Sequence, residues 1–168
     1  MSARALFSLG EILEVASPNP EKESVEILSR GIKLAPETEA YRATRAILLA
    51  RLARYPEAEE SAAQEPNEGY RLAAQALVAQ AEGDRMRSAK VRDELIAKYG
   101  DRMAGFISLL FAYQGENDQA FLWLDRATQQ RDRYIPWFKN HFGLGNLHAD
   151  PRWPVFLAKL GLTDEQLK

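Results

Sequence analysis

No segment of the chain sustains the alternation of apolar and polar residues that marks a half-buried strand. Apolar residues fall instead into blocks of helical length, set off by capping and turn residues. Asn19-Pro20 offers an N-cap with proline at the first helical position. Thr38 is placed to cap a helix running to about Ala53. Pro56 opens a short helix that stops before Pro66, and Asn67 caps the next. Gly83-Asp84 closes that helix and starts another, which stops at Gly100. Asp101 is placed to cap again, Gly115 breaks again, and Asp150-Pro151 repeats the cap-plus-proline pattern. This punctuation predicts about eight helices of roughly 10–16 residues, followed by a shorter tail with one or two more. Connections this short require consecutive helices to pack antiparallel.

Composition points the same way. The chain has 25 Ala against 5 Val, 7 Ile and 4 Thr. Ala has the best helix propensity and β-branched residues favour strands, so the expected class is all-α. A length of 168 residues corresponds to one domain with a core of its own. Cysteine is absent, which excludes disulfides, thiolate metal sites and a cysteine nucleophile. The balance of 22 basic and 24 acidic residues, net −2, argues against a dedicated nucleic-acid binder. Glu11 and Glu14 interrupt the first apolar run, so it does not read as a signal peptide. No stretch approaches the ~18 apolar residues of a membrane span. The expectation is a cytoplasmic protein, or a soluble piece of a larger one.

The helices group into pairs with a period near 34 residues: about 3–36, 39–68, 69–100 and 101–134, with a segment 135–168 after them. The first pair carries ALFSLGEIL, with Leu9-Gly10, and ends on SVEILSRGIKLAP. LLARLARYPEAEESA, LVAQAEGDRMRSAKVRDELI and ISLLFAYQGENDQAFLWLDRA lie in the next three. This pattern resembles the tetratricopeptide repeat (TPR). The resemblance implies a right-handed α-solenoid of about four helix-turn-helix repeats with a C-terminal capping segment. It also implies that the two helices of each repeat cross at one small residue apiece. The matching pairs are Gly10/Ser24, Ala46/Ala58, Ala76/Ser88 and Ser108/Ala120, and all eight residues are small. The chain departs from the family in three places. No repeat has the family's Trp near its start, Pro66 shortens the second repeat, and Arg92 stands where a large apolar residue is usual. The competing architecture is a generic bundle of Ala-rich helices.

The tail adds a second resemblance. Asp150-Pro151-Arg152-Trp153 through Leu160-Gly161-Leu162 is similar to the segment that follows the last TPR in bacterial multi-domain transcriptional regulators and nucleotide cyclases. By that likeness the chain is a regulatory module of such a protein.

Chemistry-bearing residues are sparse. His141, His148 and Asp150 are the only cluster of metal-ligand types, and their spacing lacks the helical His pair of a zinc protease. Gly143-Leu144-Gly145-Asn146 lacks the strand, third Gly and Lys of a nucleotide loop. Glu57, Glu59 and Glu60 read as a solvated face, as does the run Arg85, Arg87, Lys90, Arg92 with its neighbouring acids. Tyr134, Trp137, Phe138 and Phe142 are expected to cap the open end of a repeat array or to form an interface. No catalytic residue, cofactor or metal is assigned, and the chain is not expected to be an enzyme.

The TPR likeness also assigns a concave surface. It takes Arg4, Phe7, Glu11 and Val15, then Ala43, Ile47, Ala50 and Arg51, then Tyr70, Ala73, Leu77 and Gln80. Arg102, Gly105, Leu109, Ala112 and Tyr113 follow from the fourth repeat. Phe7 and Glu11 replace the Lys and Asn with which some TPR proteins clamp a peptide carboxylate. The expected function is therefore a protein- or peptide-binding scaffold, with Ile47, Arg51, Tyr70, Leu77, Gln80, Arg102, Leu109 and Tyr113 as its groove. The other function considered is homo-oligomerisation within a regulator. Residues 1–68 carry net −4 and residues 69–168 net +2, a polarity that favours head-to-tail contact or a polar partner.

Overall fold

The structure is a computed structural model and describes residues 20–132, 135, 139, 142–163, 165 and 166. Among these residues there are eight α-helices, one 3₁₀ turn and no strand. They are α1 Pro20–Leu34, α2 Tyr41–Arg51, α3 Tyr55–Ala63, α4 Glu68–Glu82 and α5 Arg85–Tyr99. Then come α6 Ala104–Tyr113, α7 Asn117–Gln129, the 3₁₀ turn Phe142–Leu147 and α8 Arg152–Leu160. The class is all-α, as the composition implies. The first expected helix with Gly10, and the segment with Tyr134, Trp137, Phe138 and His141, lie outside the described residues. The chain divides into two compact units, residues 1–95 and 96–168. The division falls inside α5, whereas the expected boundary lies at 134/135.

In the first unit α2 packs against α1, α3 and α4, and α3 packs against α4. Close approach is possible because the facing positions are small. Ala46, Ala58, Ala76 and Ser88 are all 0% exposed. Ser88 Oγ donates to the Ala76 carbonyl at 2.9 Å, so the α4–α5 pair meets at the two residues expected. Ser61 Oγ likewise donates to the Arg42 carbonyl at 2.9 Å, joining α3 to α2. Leu28, Leu48, Leu49, Val78 and Leu95 fill the space between, and each such side chain contributes about 1.5–3 kcal/mol on burial.

Helix ends depart from the sequence reading in an instructive way. Thr38 does not cap α2; the helix is preceded by Ala40, at φ 71°, which has no side-chain oxygen to offer. The cap comes from Glu65, just past the end of α3 and 1% exposed. Its Oε1 accepts from the Ala40 and Asn67 amides at 3.0 and 3.3 Å, and its Oε2 from the Ala43 amide at 3.2 Å. The Ala40 and Ala43 amides are the two donors a capping box satisfies with two separate side chains. Here one carboxylate does both, because an antiparallel pair puts the end of α3 beside the start of α2. Similarly, Asp101 does not cap α6 but pairs with Arg126 at 2.6 Å. Asp132, beyond the end of α7, accepts from the Gly105 amide at 3.2 Å instead. Asn67 does cap α4 as expected, accepting from the Tyr70 amide at 3.2 Å.

The C-terminal ends share one device. The amides of Arg54, Asp84, Glu116, Asp132 and Leu162 bond back to the carbonyls of Leu49, Ala79, Phe111, Ala127 and Leu157. Each closure needs a left-handed residue before the donor. Gly83, Gly115 and Gly161 supply three of these. Ala53 at φ 56° and Arg131 at φ 52° supply the other two despite their side chains.

In the second unit α6 is buried almost all round and packs against α7 and the 3₁₀ turn. Ser108 and Ala120 are both 0% exposed. Asn146 Nδ2, on the 3₁₀ turn, donates to the Ala112 carbonyl at 3.0 Å near the end of α6. Arg152 reaches Asp118 at 2.8 Å and lies over the Phe121 ring at 4.3 Å. Lys159 approaches Asp125 at 3.7 Å. Asn146–Ala112, Arg152–Asp118 and Lys159–Asp125 all have a sequence offset of 34 residues. The last two pairs, both through long side chains, set α8 in the same direction as α7.

Two stability measurements follow from the helix ends. Glu65→Ala leaves three amides without their acceptor and is expected to cost about 2–4 kcal/mol in urea unfolding. Glu65→Gln keeps one acceptor oxygen and should fall between it and the parent chain. Ala53→Gly removes the left-handed strain and should raise stability by about 0.5–1 kcal/mol, read as a higher urea midpoint at constant slope.

Candidate functional site

The eight expected groove residues separate into accessible and enclosed ones. In the first unit, Ile47 and Arg51 lie one turn apart on α2, and Gln80 lies on the adjoining α4. Ile47 and Gln80 are half-buried. Arg51 is ion-paired with Glu21 of α1 at 2.6 Å, and this hydrogen bond holds the Glu21 carboxyl below its usual range. Gln80 Oε1 is enclosed and has no donor among the described residues. Tyr70 and Leu77, also on α4, are only 8% and 5% exposed. They are part of the core of the folded chain and offer little surface to a ligand.

In the second unit Leu109 is 4% exposed, again a core residue. Arg102, just before α6, is exposed, and its guanidinium lies 5.4 Å from the centre of the Tyr99 ring. Tyr113 ends α6 and is half-buried. Arg102 precedes α6 and Tyr113 ends it, so they lie toward opposite ends of a helix about 15 Å long. The accessible part of the expected surface is therefore Ile47, Arg51 and Gln80 in one unit, and Arg102 and Tyr113 in the other. Ala43, Ala50, Ala73, Gly105 and Ala112 are buried, and Arg4, Phe7, Glu11 and Val15 lie outside the described residues.

The remaining candidate clusters have local structural partners. Arg87 Nη2 donates at 2.5 Å to both Glu59 and Glu82, and so ties α5 to α3 and α4. Arg92 bonds Asp93. Two members of the basic run, Arg87 and Arg92, therefore face carboxylates of their own chain. Glu57 holds Arg54 through two bonds of 2.6 and 2.7 Å, which depress its carboxyl pKa. Glu60 accepts from Gln64 at 3.2 Å. His148 is exposed, with its ring 4.9 Å from that of Trp153. Among the described residues, no three His, Asp or Glu gather as a metal site would require. Leu144 and Leu147 of the glycine-containing turn are 0% exposed, so that turn anchors the segment by apolar burial as well as through Asn146.

Asp150 serves the start of α8, as its place before Pro151 implies, but nothing in the residues marks the work of Arg152. Asp150 accepts the Arg152 amide at 3.0 Å and its guanidinium at 2.7 and 2.9 Å. Arg152 thereby starts α8 and is aimed at Asp118. The guanidinium bonds, with the amide second, pull the Asp150 carboxyl from 3.8 to about 2. Trp153 and Phe156 of α8 are 6% and 4% exposed, and Gly161 closes the helix at φ 72°. The charged bonds thus fix the direction of a helix whose apolar side is buried.

No protein-family model matches the chain, and no curated protein or solved structure matches it significantly. Among the described residues, no helix is long and apolar enough to cross a membrane.

Asp150 provides a direct check on the α8 start. Its folded pKa lies below the unfolded value, so its stabilising contribution is complete above 3.8 and is lost as pH falls through about 2. A carboxyl NMR titration should give a midpoint near 2, and Arg152→Ala should return it toward 3.8. An unchanged midpoint in that variant would contradict the assignment.

Proposed function

We propose that this chain is a non-catalytic, TPR-like scaffold that binds a protein or peptide partner. The supporting observation is a constant spacing in three helical hairpins, α2–α3, α4–α5 and α6–α7. Each has a small, fully buried residue (Ala46, Ala76, Ser108), a left-handed residue seven positions on (Ala53, Gly83, Gly115), and a second small buried residue five beyond it (Ala58, Ser88, Ala120). Each first helix also closes through a 2.9 Å bond to the carbonyl three places after its first small residue: Leu49, Ala79 and Phe111. A generic bundle has no reason to repeat one crossing point and one turn at fixed spacing, whereas a repeat protein does. The proposed architecture is the right-handed α-solenoid that such hairpins build, in a cytoplasmic setting.

A scaffold of this kind acts by presenting surface. The accessible residues Ile47, Arg51 and Gln80, on two successive first helices, form the proposed docking edge. Arg51 brings a charge that Glu21 already orients, and Ile47 and Gln80 bring half-buried side chains. The absence of the Lys and Asn clamp at Phe7 and Glu11 argues for an internal segment of the partner over a free C-terminus.

Affinity capture followed by purified binding measurements tests this reading. Ile47→Glu should weaken the captured partner at least about tenfold, as loss of one interface anchor does, with helicity and melting preserved. Tyr113→Ala serves as a second variant outside the α2–α4 surface. A partner bound with equal affinity by both variants would refute the groove assignment.

A further inference from the structure

The register between α7 and α8 creates a surface whose chemistry is self-complementary. Asp118, Leu122 and Asp125 recur at intervals of four and three residues and so share one face of α7. Arg152, Val155 and Lys159 recur at three and four and share one face of α8. The two ion pairs join these faces, one near the starts of both helices and one seven residues on. Leu122 and Val155 lie between the pairs along the seam. They are 62% and 58% exposed, two of the most exposed large apolar side chains among the described residues. The result is two exposed apolar side chains set between two ion pairs, with the acids on α7 and the bases on α8. The charges themselves stay open to solvent, with Asp118 and Asp125 side chains 89% and 55% exposed and Lys159 63% exposed.

We infer that this seam docks a second copy of the chain. The layout of charge selects the symmetry. A two-fold axis running across the helices would lay α7 on α7 and oppose acid with acid. A two-fold axis running along the seam lays α7 of each copy on α8 of the other. It then brings Asp118 over the second copy's Arg152, Asp125 over the second copy's Lys159, and Leu122 over the second copy's Val155. Every contact occurs twice, as a closed two-fold interface requires. Each carboxylate then lies between two cations, one from its own chain and one from the other. This association is separate from partner binding at Ile47 and Gln80, and either can fail without the other.

Charge reversal in trans tests it on the full chain. Sedimentation velocity of the parent chain, from about 10 µM to about 1 mM, should show a mass rising toward that of a dimer, the range expected for a small interface. Raising salt to about 0.5 M should weaken it, because the charges are exposed. Leu122→Glu should abolish the rise while circular dichroism stays unchanged. Asp125→Lys alone and Lys159→Asp alone should each remain monomeric, since each places like charges together twice. An equimolar mixture of those two variants should dimerise again, because both charge contacts are then restored between unlike copies. A parent chain that stays monomeric overturns the inference. So does a dimer that survives Leu122→Glu, or a mixture that fails to associate when the parent does.

Discussion

Helices α2 and α6 begin on residues that cannot cap them, and the arrangement of their hairpins depends on how that deficit is met. The starts of α2 and α6 expose amides that need an acceptor. Ala40 and Met103 have no side-chain oxygen to provide one. Glu65 and Asp132 provide it from beyond the end of the following helix. Burying a carboxylate as deeply as Glu65 is unfavourable unless its oxygens are bonded, and here three amides bond it. The same bonds fix where α3 ends relative to where α2 begins. With both ends of the hairpin set, the small residues at Ala46 and Ala58 fall inside the pair and allow the backbones to approach.

The C-terminal segment is fastened by a related economy of parts. Asn146 closes the end of α6, Arg152 starts α8 and reaches α7, and Lys159 adds a second tie. Exposed ion pairs contribute little to stability, typically ~0–1 kcal/mol each. Burial of Trp153, Phe156 and Leu157 supplies the stabilisation, and the charges select one register from several that apolar burial alone would accept.

Much of the fold was legible in the residues. Pro66, Asn67, Gly83 and Gly115 mark breaks that the structure has, because proline, side-chain capping and left-handed glycine act within a few residues. Arg131 was not legible as a helix end, and Ala53, near which the helix was expected to stop, was not legible as a left-handed residue. Their left-handed backbone is imposed by the closure of the turn, and their side chains give no sign of it. The caps from Glu65 and Asp132 were illegible for a different reason: a contact across 22 or 27 residues has no local signature. The candidate groove was legible only in part. Position in a repeat picks out Tyr70, Leu77 and Leu109 together with Ile47 and Arg51. Only packing decides that the first three are enclosed.

The long reach of the Glu65 cap also bears on synthesis. Helix α2 is short, and isolated helices of about a dozen residues are marginal in water. A growing chain that has emerged only as far as Ala63 contains all of α2 and α3 but not the carboxylate that joins them. Two residues later the hairpin can close. The latch is thus complete only in a piece that holds both helices and the residues just beyond them. A fragment ending at Ala63 should stay exposed to proteases and to other nascent chains, whereas one ending after Asn67 contains the whole latch.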